Sequence, residues 1–191
     1  MSKSTCLRII KVSNLATAEN VFDELVELFK SANEKFEKEE KDLLESDVKE
    51  NCLCASLANY IRDSIKGSEF CNYYVDVEYN RNRGKTKKID SFSGDEPTNI
   101  VCDLIVHSRA KSDYDNKKYS YGDNLLALEM KKDYRSPEEK QKDRERLMQL
   151  TMMDGNESSK NVRGYKVGIY YELDSMGHPK IIDYYANGAL V

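Results

Sequence analysis

From Thr17 to Leu44 the apolar residues Val21, Leu25, Leu28, Phe29, Ala32, Phe36 and Leu43 recur at steps of three and four with charge between them, the spacing of one helical face. The pattern predicts a long amphipathic helix. It restarts near Asp47, where Leu53, Cys54, Leu57, Ala58, Ile61 and Ile65 form a second stripe ending at Gly67, a residue suited to the position just past a helix. The two helices are expected to pack as a hairpin or a kinked pair. Beyond Gly67 the period falls to two. Tyr73, Val75, Val77 and Tyr79 alternate with Tyr74, Asp76 and Glu78, as in a half-buried strand. The stretches 100–107 (IVCDLIVH) and 124–131 (NLLALEMK) are nearly continuous apolar runs, which suit central strands covered on both faces. The polar, turn-rich segment between them reads as a hairpin loop or a short excursion.

Ser136-Pro137-Glu138-Glu139 carries the signals of a helix start: an N-cap serine, proline at the first helical position and a glutamate three residues after the cap. That helix should run to about Met153. Residues 165–173 alternate again, and Asp174-Ser175-Met176-Gly177 turns the chain into a last strand, 180–185. The order α-α-β-β-β-α-β-β predicts an α/β fold in which helices flank a sheet of about five strands. A length of 191 residues fits one domain overall, with a helical N-terminal segment over 1–46 and a core over 47–191.

Charged residues make up 34% and hydrophobic ones 39%, a water-soluble composition without disorder bias. No apolar run approaches the ~20 residues that span a bilayer, and the N-terminus lacks a signal-peptide core, so no membrane association and a cytoplasmic location are expected. Five cysteines (Cys6, Cys52, Cys54, Cys71, Cys102) are an odd number at spacings that match no zinc pattern, and read as reduced, partly buried thiols. The net charge of −4 taken alone argues against a nucleic-acid partner. Its distribution changes that. Residues 1–50 hold 12 acids and 8 bases, while 51–191 hold 22 of each, and RNRGKTKK at 81–88 carries five bases and no acid.

Glu129 and Lys131, two apart in a predicted strand, project from the same face, while Leu128 and Met130 take the other. Asp103 sits inside a second apolar strand, where a carboxylate is costly unless a cation or hydrogen bonds stabilise it. If the strands are neighbours, Asp103 and Glu129 converge on one cation, and two acids from adjacent strands suit Mg²⁺. Lys131 would then orient or deprotonate a metal-activated water, or stabilise charge developing on phosphorus. A third acid points the same way. With Glu50 at 0° on a helical wheel, Leu57 falls at about −20° and Ile61 at about 20°, so Glu50 lies on the centre line of its helix's apolar stripe, at the end the helix dipole favours for an anion.

An acid on an early helix, an Asp in an apolar strand and E-x-K on the next, as in Glu50, IVC-Asp103 and Glu129-Met130-Lys131, resemble the PD-(D/E)XK nuclease superfamily, the restriction-endonuclease-like fold. The match covers roughly residues 47–173, and Cys102 stands where the motif usually has proline. The resemblance implies a mixed central sheet, dependence on Mg²⁺ or Mn²⁺, and cleavage of DNA or RNA phosphodiester bonds, DNA ahead of RNA. It assigns Asp103 and Glu129 as metal ligands, Lys131 as the residue assisting the attacking water, and Glu50 as an auxiliary acid.

Around this site, Glu78 is either a further acid or a partner of Arg81. His107 lies about 13 Å along the strand from Asp103, which favours a hydrogen-bonding role over ligation, and His178 sits in a turn. Arg81, Arg83, Lys85, Lys87 and Lys88, together with Lys132, are candidate phosphate contacts. Two rival expectations stand beside the nuclease: a non-catalytic nucleic-acid-binding or protein-interaction module on the same fold, and a first helix that serves a homodimer or docks a partner protein.

Overall fold

The structure, a computed structural model, describes residues 18–82, 85–86, 88–89, 98–99, 101–109, 111, 117–153 and 162–191. The first stripe forms α1 (Ala18–Glu39) and places Val21, Leu25, Phe29, Ala32 and Phe36 in the core. The expected single helix to Leu44 is interrupted at Glu40, and the chain resumes as α2 (Lys41–Glu45). Glu40 departs from helical dihedrals (φ −108°, ψ 29°), and its carboxylate accepts hydrogen bonds from Ser56 Oγ (2.9 Å) and Tyr60 Oη (3.1 Å) of α3 (Glu50–Lys66), a tertiary contact that periodicity does not mark. The second stripe is buried along α3 as its spacing required.

Four short strands follow β1 (Tyr74–Val77): β2 (Arg81–Asn82) pairs with β3 (Lys85–Thr86), and β4 (Lys88–Ile89) with β5 (Thr98–Asn99). The basic run, expected as a loop, thus carries backbone pairing. The main sheet is built from β1, β6 (Leu104–His107), β7 (Asn124–Lys132), β8 (Val167–Leu173), β9 (Pro179–Ala186) and β10 (Ala189–Leu190), in the order β1-β6-β7-β8-β9-β10. Neighbours are antiparallel except β7 and β8, which run parallel and are joined by α4 (Pro137–Thr151). A parallel pair requires such a crossover, because a tight turn can only reverse the chain. The sheet has one strand more than the sequence predicts. Asn187 and Gly188, both at positive φ (51° and 81°), form a two-residue turn that folds Ala189–Leu190 back onto β9.

One sheet face is covered by α1 and α3 and the other by α4. This explains why β8, whose sequence alternates, is buried at every position. Gly168 of β8 permits the close approach of α4, since a Cβ there would lie 3.1–3.3 Å from Thr151, Tyr185 and Leu147. The α4 start is the expected capping box: Ser136 Oγ accepts from the Glu139 N–H and the Ser136 N–H donates to Glu139 Oε2, each at 3.2 Å.

Phe29 of α1 packs edge to face on Tyr171 of β8 and Tyr184 of β9, so α1 shares the core of the sheet. The apolar stripe of α1 is covered by the chain's own sheet. Among the described residues, Cys54 and Cys102 are buried, Cys71 is half-buried and Cys52 is exposed; Cys6 lies outside those residues. No described helix is long and apolar enough to cross a membrane.

Candidate active site

Asp103 immediately precedes β6. Because Leu104 pairs with Leu128 in the antiparallel ladder, Asp103 falls opposite Glu129 on β7. Its carboxylate reaches across to accept the Met130 N–H at 2.8 Å, and its carbonyl accepts the Glu78 N–H at 3.2 Å. The residue therefore joins the ends of β1 and β7. Glu78 adopts a left-handed conformation (φ 50°), an uncommon state for a side chain of this kind.

A cleft of about 300 Å³ opens at this point, and Glu50, Glu78, Asp103, Lys131, Arg135 and Glu139 line it. Three of the four residues expected to carry chemistry thus border one cavity. Glu129, the fourth, is only 1% exposed and does not line it. Its Oε1 accepts from Arg146 Nη1 of α4 at 2.8 Å, and the same guanidinium lies 3.2 Å from Asp143. Asp143 in turn faces the Lys131 ammonium at 2.8 Å. Three carboxylates, Asp103, Glu129 and Asp143, and two cations, Lys131 and Arg146, make one network beneath α4.

Glu50 also behaves as its wheel position requires. It opens α3, and Arg135 grips its carboxylate through Nε and Nη2 at 2.8 and 2.9 Å. Burial pushes the Glu50 carboxyl up, but the Arg135 fork outweighs it and holds the group below its ordinary range. Asp103 is raised, by burial above all, against the pull of the Met130 N–H and Lys131. Glu129 is pushed up to about 8: burial dominates, Asp103 and Asp143 add to it, and Arg146 opposes. Lys131 shows the opposite balance. Burial works against its charge, yet Asp143, Asp103 and Glu129 raise it overall, so it is an ammonium at neutral pH. That favours the charge-stabilising role for Lys131 over the proton-abstracting one.

The donor set fits a hard cation in one respect. Two carboxylates opposed on neighbouring strands, both disfavoured as anions by burial, match the one or two carboxylates by which Mg²⁺ is held. Among the described residues no group of three or more His, Cys, Asp or Glu is arranged to hold an ion, so a many-ligand cage is absent from them. Glu129 carries a pH prediction. Between about pH 4.5 and 8 the folded protein holds a proton that the unfolded chain releases, so stability falls as pH rises through that window. Urea unfolding should show wild type losing about 4 kcal/mol more than Glu129→Gln across it; parallel curves would refute the buried, raised carboxyl.

Lys132, expected as a phosphate contact, is fully buried with its ammonium 3.4 Å from Asp47, because strand alternation turns it to the face opposite Lys131. It is thus removed from the surface set. Arg81, Lys85 and Lys88 fall within β2, β3 and β4, where only the backbone is described, and Arg83 and Lys87 lie outside the described residues. His107 accepts the hydrogen-bonding role expected of it, with Nε2 2.8 Å from Asp76. His178 sits in the β8–β9 turn, its N–H bonded to Asp174. Asp143, Arg146 and Arg135 were not singled out from sequence. The wheel used for Glu50 finds the first: with Leu147 at 0°, Asp143 falls at about −40° and Leu150 at about −60°, an acid on α4's buried stripe. In comparisons with known proteins, no family model matches this chain, and no curated protein or solved structure matches it either.

Proposed function

We propose that the chain is a divalent-metal-dependent nuclease that hydrolyses nucleic-acid phosphodiester bonds with water, acting on DNA ahead of RNA, in the cytoplasm. One observation carries the reading: Glu50, Asp103 and Lys131, brought from three separate elements, border one cleft, with Glu129 opposite Asp103 on the adjoining strand. The E-x-K spacing and its resemblance to the PD-(D/E)XK superfamily support it. Mg²⁺ or Mn²⁺ held by Asp103 and Glu129 would supply Lewis-acid polarisation of a phosphate oxygen and a more acidic water. Lys131, kept protonated and aimed by Asp143, stabilises negative charge growing on the phosphoryl oxygens. Glu50, kept ionised by Arg135, is an acceptor able to orient the attacking water.

The purified chain is expected to cleave plasmid or single-stranded DNA with millimolar Mg²⁺ and to stop on addition of EDTA. A second reading, a binding module without turnover, is favoured by the contact of Arg146 with Glu129, which compensates that carboxylate without any metal. Calorimetric titration with Mn²⁺ separates them: no heat of binding, together with retained DNA binding and no cleavage, establishes the module and overturns the nuclease.

A further inference from the structure

Away from the cleft, the outer edge of β1 gathers fixed cations. Arg62 of α3 donates Nε and Nη2 to the Val75 carbonyl at 3.2 and 2.9 Å, capping the edge strand. Arg109, just past β6, grips Asp76 through Nε at 2.7 Å and Nη2 at 2.5 Å, and its guanidinium stands 4.3 Å above the Tyr74 ring. Lys111 lies 4.9 Å from the same ring and donates to the Tyr74 hydroxyl at 3.0 Å. Exposed Lys66 completes the group, and a hollow of about 310 Å³ is lined by Arg62, Lys66, Tyr74, Asp76 and Arg109. Four cations thus gather along this edge, of which Lys66 pairs with Asp63 and Arg109 with Asp76.

Arg109 adopts a left-handed conformation (φ 56°), which a non-glycine residue holds only where its surroundings impose it. That backbone turns the guanidinium back over β1. Asp76 and Tyr74 then fix it, so little side-chain freedom is left to lose when an anion binds.

We propose that this edge is a phosphate-binding surface for the nucleic-acid strand whose scissile bond enters the cleft, an inference that rests on the nuclease reading. Placement decides the ligand class. β1 runs from this patch at Tyr74 toward Glu78, which lines the cleft. Four residues of strand cover about 13 Å, the axial length of about four phosphates along one strand of a duplex. One polynucleotide backbone therefore reaches both places, whereas an isolated phosphate metabolite fills only one.

Anisotropy of a labelled DNA oligonucleotide, measured in EDTA so that no cleavage intervenes, tests it with Lys66→Glu/Lys111→Glu. Affinity should drop about tenfold or more, and the slope of log K against log salt should fall by about two. Lys66→Arg/Lys111→Arg should bind as wild type. Unchanged affinity and slope in the charge-reversed protein overturn this surface while leaving the nuclease reading standing. Failure of the wild-type chain to bind or cleave any nucleic acid overturns both.

Discussion

Replacing Asp103 by Asn is expected to lower Mg²⁺-dependent cleavage by about a thousandfold or more while leaving the chain folded. The variant is chosen for what it keeps. Asparagine retains an oxygen that can accept the Met130 N–H, the 2.8 Å bond that ties β6 to β7, so the local backbone has no reason to open. It removes the charge on which a hard cation depends, and it also relieves the repulsion that Asp103 exerts on Glu129. Unfolding should therefore shift little or toward higher stability as activity disappears, a combination that general damage does not produce. Lys131→Met should reproduce the loss of cleavage through a different group. Cleavage within a few-fold of wild type in either protein would sink the assignment.

The second large effect concerns stability. Arg146→Ala removes the guanidinium that faces both Glu129 and Asp143, whose side chains are 1% and 5% exposed. An uncompensated buried carboxylate typically costs about 3 to 5 kcal/mol. The pH dependence has a definite sign. At about pH 9 Glu129 would be left ionised without its partner, whereas at about pH 6 the folded protein can keep it protonated, so the loss should be larger at the higher pH. Adding Glu129→Gln to Arg146→Ala should restore much of the stability at pH 9. Equal losses at both pH values, with no recovery in the double variant, would mean that Arg146 contributes packing rather than charge.

Most of the frame could be read along the chain. The stripes of α1 and α3 and the apolar runs of β6 and β7 declared their elements because burial imposes a period, and Ser136 announced α4 because its cap needs only four consecutive residues. Features set by partners distant in the chain could not be read in that way. The break at Glu40 depends on Ser56 and Tyr60. The sixth strand is different, because it pairs with β9 through the local Asn187-Gly188 turn, a two-residue hairpin signal that can be read along the chain.

The candidate site divides along the same line. Sequence alone determined that Glu50 would lie on a buried helical stripe and that Glu129 and Lys131 would share a strand face, because each follows from the period of a single element; Asp103, expected inside an apolar strand, instead precedes β6 and borders the charged cleft. Only the tertiary structure decided who answers those charges: Arg135 for Glu50, Arg146 for Glu129 and Asp143 for Lys131. It also decided that Lys132 turns inward and that β1's edge collects Arg62 from α3 and Arg109 and Lys111 from the segment after β6. A carboxylate's tendency to face inward is a local property of spacing, whereas its counter-ion is chosen by which elements the packing brings within a few ångströms.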